Sequence, residues 1–236
     1  MKLTFFHERV LAIVAHPDDA ELLCAGTLAR AQAEGAAIGM CVLCRGDKGQ
    51  PPSPIEDLGA VRGREMKAAI ELLGGELLEG GFNDGGLFDS VESRRTVIEL
   101  VRRFRPTLVL AHAPTDYHAD HRAASVLAEA ASWFCASAGH RTDSAPLAKP
   151  PELWWMDTVE MIDFAPHFYL DVTDYVELKR QMLRCHTSQL SRGDSADFSP
   201  LETVMIRQCE ARGAQAGVRA AEAFRQHHTW KRIAAW

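Results

Sequence analysis

The 236 residues are 47% hydrophobic and 25% charged with a formal net charge of -6, the composition of an ordinary globular chain of one-domain size. The mildly acidic balance, with no lysine or arginine run, excludes a basic nucleic-acid surface. No apolar stretch reaches the roughly 20 residues that span a bilayer, and an N-terminus carrying His7, Glu8 and Arg9 is too short and charged for a secretory signal, so a cytoplasmic location is expected.

In chain order, residues 10–15 form a short apolar run suited to a strand buried on both faces. Residues 21–34 carry Leu22, Leu23, Ala25, Leu28 and Ala29 at helical spacing, with Gly35 as a stop. Residues 38–44 predict a second strand, closed by the glycine-bracketed turn 46–49 and the proline-rich loop 50–54. A helix over 58–73, a strand over 76–82 and a helix over 91–104 follow, the last stopped by Pro106. Residues 107–111 then predict a fourth strand and 123–134 a fourth helix. This rhythm predicts an α/β, Rossmann-like three-layer fold, with a mostly parallel sheet and helices on both faces.

The second half is less regular. Residues 136–151 and 191–200 read as polar loops, 153–161 and 168–172 as strands, 175–185 as a helix, and 204–228 as one long helix or two joined near Gly213. Without repeats or low-complexity segments, a single domain over 1–236 is expected, residues 1–135 carrying the core and 136–236 completing the pocket. Of six cysteines, Cys41 and Cys44 have CxxC spacing, but three positions apart in a strand they point to opposite sides, so all six are expected to be reduced. The arginine pairs 94–95 and 102–103 are expected on solvent faces, and Trp154-Trp155 to split between core and surface.

Polar clusters fall at four predicted strand ends, where open α/β sheets bind ligands: His16/Asp18/Asp19, Asp47, Asp84, and His118/Asp120/His121. No GxGxxG follows the first strand, so the crevice is expected to hold a metal instead of a dinucleotide. Two imidazoles and one carboxylate, with positions left open for water, make a catalytic zinc arrangement. Zinc brings the pKa of its bound water to about 7, but a carboxylate must still take the proton and an acid must serve the leaving group. His16, Asp19 and His121 can ligate, Asp18 can act as base, His118 as acid, and Asp120 can fix the tautomer of His118. Plainer readings stand beside these: Asp18 or Asp19 as a helix cap, Asp120 serving a helix dipole, Asp47 and Asp84 as turn formers, Arg62 paired with Glu65, and His186 at a helix end.

The AHPDDAE string at 15–21 and the HADH string at 118–121 resemble the two signatures of the PIG-L/LmbE-like family of zinc-dependent N-acetylglucosamine-type deacetylases. GDKG at 46–49, RGRE at 62–65, HTSQ at 186–189 and AAEAF at 220–224 extend the likeness over nearly the whole chain. The resemblance implies His16, Asp19 and His121 as ligands of Zn2+, with Fe2+ or another divalent ion as the alternative. It implies Asp18 as general base, and His118, supported by Asp120, as donor to the leaving amine or the oxyanion. It also implies sugar contacts from Arg62, Asp84 and Asp47, with Arg64 and Asp89 as alternatives, and an approach by His186 from the C-terminal half. The activity implied is removal of acetyl from a small N-acetylated amino sugar, releasing acetate and a free amine. Hydrolysis of another amide or ester, or non-catalytic sugar or metal binding, is the alternative. A homo-oligomer, trimer or hexamer, is compatible with the resemblance. The loops 50–57, 136–151 and 191–200 carry no readable code for the aglycone.

Overall fold

The computed structural model describes residues 4–190, 192 and 200–228. Seven strands form one sheet in the order β3-β2-β1-β4-β5-β7-β6. They are β1 (Arg9–Val14), β2 (Ala37–Cys44), β3 (Glu76–Phe82), β4 (Leu108–Ala111), β5 (Glu152–Met156), β6 (Phe168–Asp171) and β7 (Ala221–Gln226). The first five run parallel, and β7 lies antiparallel between β5 and β6. The fold is thus α/β with a mostly parallel sheet.

Alternation along the strands builds two cores. Val10, Ala12, Val14, Met40 and Leu110 face one side, packing with α1 (Asp19–Leu23), α2 (Ala25–Ala33), α3 (Leu58–Glu71), α6 (Val176–Arg184) and α8 (Leu201–Ala216). Leu11, Ile13, Cys41, Val109 and Ala111 face the other, packing with α4 (Val91–Phe104) and α5 (Ala119–Phe134). A short helix, α7 (Thr187–Leu190), follows α6. With both faces covered, Trp154 and Trp155 are both buried, one in each core, and neither marks a surface.

Several expectations are corrected. Residues 204–228 are not one helix: α8 runs from Leu201 to Ala216 and is capped by Gly217 at φ 72°, and Ala221–Gln226 is a strand. The Ala- and Glu-rich stretch has helical propensity, but the slot between β5 and β6 supplies ladder partners, and tertiary context overrides weak local preference. The strand expected over 153–161 stops at Met156, where buried Asp157 accepts from the Arg212 guanidinium instead of continuing the ladder. The helix expected over 21–34 breaks at Cys24, which takes φ -147°. A register shift between Val42 and Cys44 breaks the alternation of β2, so Cys44 joins the cluster that holds Cys41. Both thiols are free. Arg102 is buried and donates to the carbonyls of Cys135 and Ser137, tying down the following loop, so only Arg103 of that pair is exposed. The loop expected over 191–200 lies, apart from residues 192 and 200, outside the described residues. Among the described residues, no helix is long and apolar enough to cross a membrane.

Candidate metal and catalytic site

Strand β1 pairs with β2 on one side and with β4 on the other, so the sheet reverses its winding between β1 and β4. The crevice at such a reversal, beyond the carboxyl ends of the strands, is where these sheets bind ligands. Here the chain leaving β1 supplies His16, Asp18 and Asp19, and the chain leaving β4 supplies His112, Asp116 and, at the start of α5, His118, Asp120 and His121.

Asp19 is the hub. Its Oδ2 lies 3.5 Å from His16 Nδ1 and 3.1 Å from His112 Nε2, and its Oδ1 lies 3.3 Å from His121 Nε2. The far nitrogens of two of these rings face further carboxylates: His16 Nε2 is 3.1 Å from Asp120 Oδ2, and His121 Nδ1 is 3.0 Å from Asp116 Oδ1. Carboxylates placed behind imidazoles fix ring orientation and raise basicity. Burial opposes charge on His16, yet Asp120 and Asp19 lift its pKa to about 10. His121 is likewise opposed by burial and lifted by Asp19 and Asp116 to about 9. Burial works against the Asp19 carboxylate too, but His121 and His112 hold it well below the usual range.

Imidazoles gathered around an ionised carboxylate form a site where a divalent cation can replace protons. Among the described residues, three sets of ligand atoms lie within 4.8 Å of one another: His16/His118/His121, Asp19/His112/His121 and His16/Cys44/Asp120. His16, Asp19 and His121 each occur in these sets, though no set unites all three. His112 Nδ1 and Asp116 Oδ2 are buried without a hydrogen-bond partner among the described residues. A nitrogen and oxygen donor set of this kind suits Zn2+ or Fe2+, so the residues present fit the cation.

The proton-handling groups are arranged differently from expectation in one respect. Asp120 meets His118 through its backbone, the amide donating to His118 Nδ1 at 3.1 Å, while its carboxylate accepts from Gly85 N at 2.8 Å and faces His16. The tautomer of His118 is therefore set by an amide and not by the carboxylate, because the backbone of a helix start directs its N–H groups at the capping side chain. With Nδ1 accepting, the ring proton sits on Nε2. Burial, with His121 and His16 beside it, lowers the pKa of His118, so the ring is a neutral donor near pH 7.

Asp18 takes φ 101°, a conformation few side chains adopt. Arg62 holds it there: Nη2 donates to Asp18 Oδ2 at 3.0 Å and, in a short contact, to the Pro17 carbonyl. Burial pushes the Asp18 carboxyl up and the Arg62 guanidinium opposes that push.

The expected sugar-binding residues divide. Arg62 and Asp84 line a cavity of about 580 Å3 over the cluster, whereas Asp47 and His186 do not. Asp47 accepts from Asp84 N at 2.9 Å, and Asp84 accepts from Gly46 N at 2.8 Å and Lys48 N at 3.1 Å, so Asp47 braces two loops. His186 is wholly buried 3.4 Å from Glu21. Arg62 does not pair with Glu65, whose carboxylate accepts from Thr187 Oγ1, Ser188 N and Ser188 Oγ and pins α7. The sequence reading missed His112, Asp116, Glu21 and Glu65. His112 and Asp116 had a signal, standing just after the β4 run and five residues before His121. Asp116→Asn is expected to weaken divalent-metal affinity by roughly 10–100-fold, measured by chelator competition, and an unchanged affinity refutes its role behind His121.

A profile of the family described as PIG-L: GlcNAc-PI de-N-acetylase matches residues 11–132, more than half of the chain. The chain belongs to the PIG-L family. The diacetylchitobiose deacetylase of Thermococcus kodakarensis is 27% identical across 92% of this chain and 82% of that protein. The structure of the conserved protein TT1542 from Thermus thermophilus is 30% identical, covering 97% of this chain and 100% of that one with a TM-score of 0.80. The N,N'-diacetylchitobiose deacetylase of Pyrococcus horikoshii, 24% identical over 93% of this chain and 84% of its own, shares the fold at a TM-score of 0.82. The PIG-L match contains His16, Asp18, Asp19, His112, Asp116 and the HADH segment, while α7 and β7 lie beyond it.

Proposed function

We propose that this PIG-L family protein is a zinc-dependent amidohydrolase that removes acetyl from an N-acetylated amino sugar, releasing acetate and a free amine. The observation that carries the reading is one cavity that brings an Asp19-centred donor set together with two separate proton-handling groups, Asp18 and His118. His16, Asp19 and His121 would hold the cation, with His112 against Asp19 as a further candidate. When bound, the cation polarises the acyl carbonyl and makes water more acidic.

The chain's own groups do the rest. Asp18, kept in place by Arg62, accepts a proton from water as its oxygen attacks the acyl carbon. His118 donates a hydrogen bond from Nε2 to the charge that develops on the carbonyl oxygen, and the proton that Asp18 took from water passes to the departing nitrogen. The C–N bond breaks as that nitrogen becomes an amine. Asp84, on the cavity wall, can accept from sugar hydroxyls.

Acetate release from N-acetylglucosamine conjugates tests this reading. Chelation is expected to abolish turnover and added Zn2+ to restore it, more fully than Fe2+. Full turnover by the metal-free protein, or no acetate from any such conjugate with metal supplied, overturns it.

A further inference from the structure

The donors gathered in the crevice divide into two sets that share no residue. Asp19, His112 and His121 form one, and His16, Cys44 and Asp120 form the other, the ligand atoms of each lying within 4.8 Å of one another. Only the second of these two sets contains a sulfur.

Cys44 joins it through an irregularity of the sheet. The register shift between Val42 and Cys44 re-aims the side chain at the end of β2. Cys44 N then donates to the Ala15 carbonyl at 2.7 Å, which ties the thiol beside His16. Across the set, His16 Nε2 lies 3.1 Å from Asp120 Oδ2, and that oxygen also accepts from Gly85 N at 2.8 Å. The frame is thus fixed from the chain after β1, the end of β2, the start of α5 and the turn after β3. Its members are reached from two sides. His16 and Asp120 line the cavity of about 580 Å3, and Cys44, with Pro17 and Met66, lines a separate cavity of about 350 Å3.

The local charge suits a dication. Cys44 is a free, buried thiol on which the carboxylates of Asp120, Asp84, Asp19 and Asp47 all act. That field opposes a bare thiolate and favours a cation, whose own charge then holds the sulfur deprotonated. Thiolate and imidazole together select zinc and other thiophilic ions over magnesium.

We infer that His16, Cys44 and Asp120 form a second cation site, which takes a thiophilic divalent ion when the metal is in excess. The ion replaces the Cys44 thiol proton and the proton held between His16 and Asp120, and both protons pass to water. Filling this site takes His16 from the first cation, and its place beside Asp19 and His121 falls to His112, 3.1 Å from Asp19. The inference goes beyond the deacetylase reading and stands or falls without it, since the site binds metal whether or not the protein hydrolyses an amide.

The test titrates Co2+ into the full chain already loaded with one equivalent of Zn2+, which has no d-electron spectrum of its own. One further equivalent of Co2+ is expected to bind in equilibrium dialysis, with a thiolate-to-cobalt charge-transfer band rising in step. Cys44→Ser should abolish the band and weaken the Co2+ by more than the roughly 10–100-fold that an outer partner is worth, while the Zn2+ stays bound. Asp120→Asn, which leaves the thiol in place, should weaken the Co2+ as well. Cys185→Ser should change nothing, since the half-buried Cys185 lies outside the set. No second equivalent, a second equivalent without the band, or a band that persists in Cys44→Ser overturns the inference.

Discussion

Asp18→Asn is expected to lower kcat for acetate release by roughly 10²–10⁴-fold, the range that one positioned acid or base supplies. The substitution keeps the size of the side chain and an oxygen that can accept from Arg62, and asparagine tolerates the positive φ better than most residues. What is lost is the capacity to take a proton. Asp19, His16 and His121 are untouched, so bound metal, read by elemental analysis, should match the unaltered protein. Turnover above about a tenth of normal at equal metal content would remove Asp18 from the base role, since general-base catalysis is worth far more than that. The contrast with Arg62 is informative. Arg62→Ala should lower activity too, but through the placement of Asp18, because its guanidinium is engaged with Asp18, the Pro17 carbonyl and the Gly46 carbonyl.

Glu222→Ala is expected to cost roughly 3–5 kcal/mol of stability, the usual penalty for leaving a buried charge unpaired. Lys179 and Glu222 are both buried, with Nζ 2.5 Å from Oε1. The same carboxylate accepts from Gly26 N at 2.9 Å and Thr27 N at 2.7 Å, closing the first turn of α2. Its removal therefore strands an ammonium ion and opens a helix start together. For a chain of this size the thermal midpoint should fall on the order of 10 °C. Replacing both partners at once, Lys179→Met with Glu222→Gln, should recover much of the loss, because the pair gains little net stability over apolar groups of similar shape. A change below about 1 kcal/mol for Glu222→Ala in denaturant unfolding would show that the ammonium finds another partner.

These two sites differ in how far they could be read from the chain. Asp18 stands in a strand-turn-helix unit whose parts are consecutive, so apolar run, proline and paired carboxylates announced it locally. Glu222 sits in an Ala-rich stretch that reads as helix, and only its slot beside β5 and β6 makes it a strand residue that reaches Lys179, 43 positions away. The same holds for Glu65, whose partners Thr187 and Ser188 lie more than a hundred positions on, and for the Arg62 contact with Asp18. Spacing along the chain says nothing about such pairs, since charged side chains have many acceptors within reach until the sheet order is set.

By itself, then, the sequence determined the βα rhythm, the parallel half of the sheet, and the two clusters His16–Asp19 and His118–His121, because periodicity and strand-end placement are properties of neighbouring residues. Only the tertiary structure decided that β1 and β4 lie side by side so that both clusters share one crevice. It alone turned the Asp120 carboxylate to His16 instead of His118, brought His112 and Asp116 into the cluster, and set Cys44 beside His16 and Asp120. Those are distances between segments, set by the packing of two cores against one sheet.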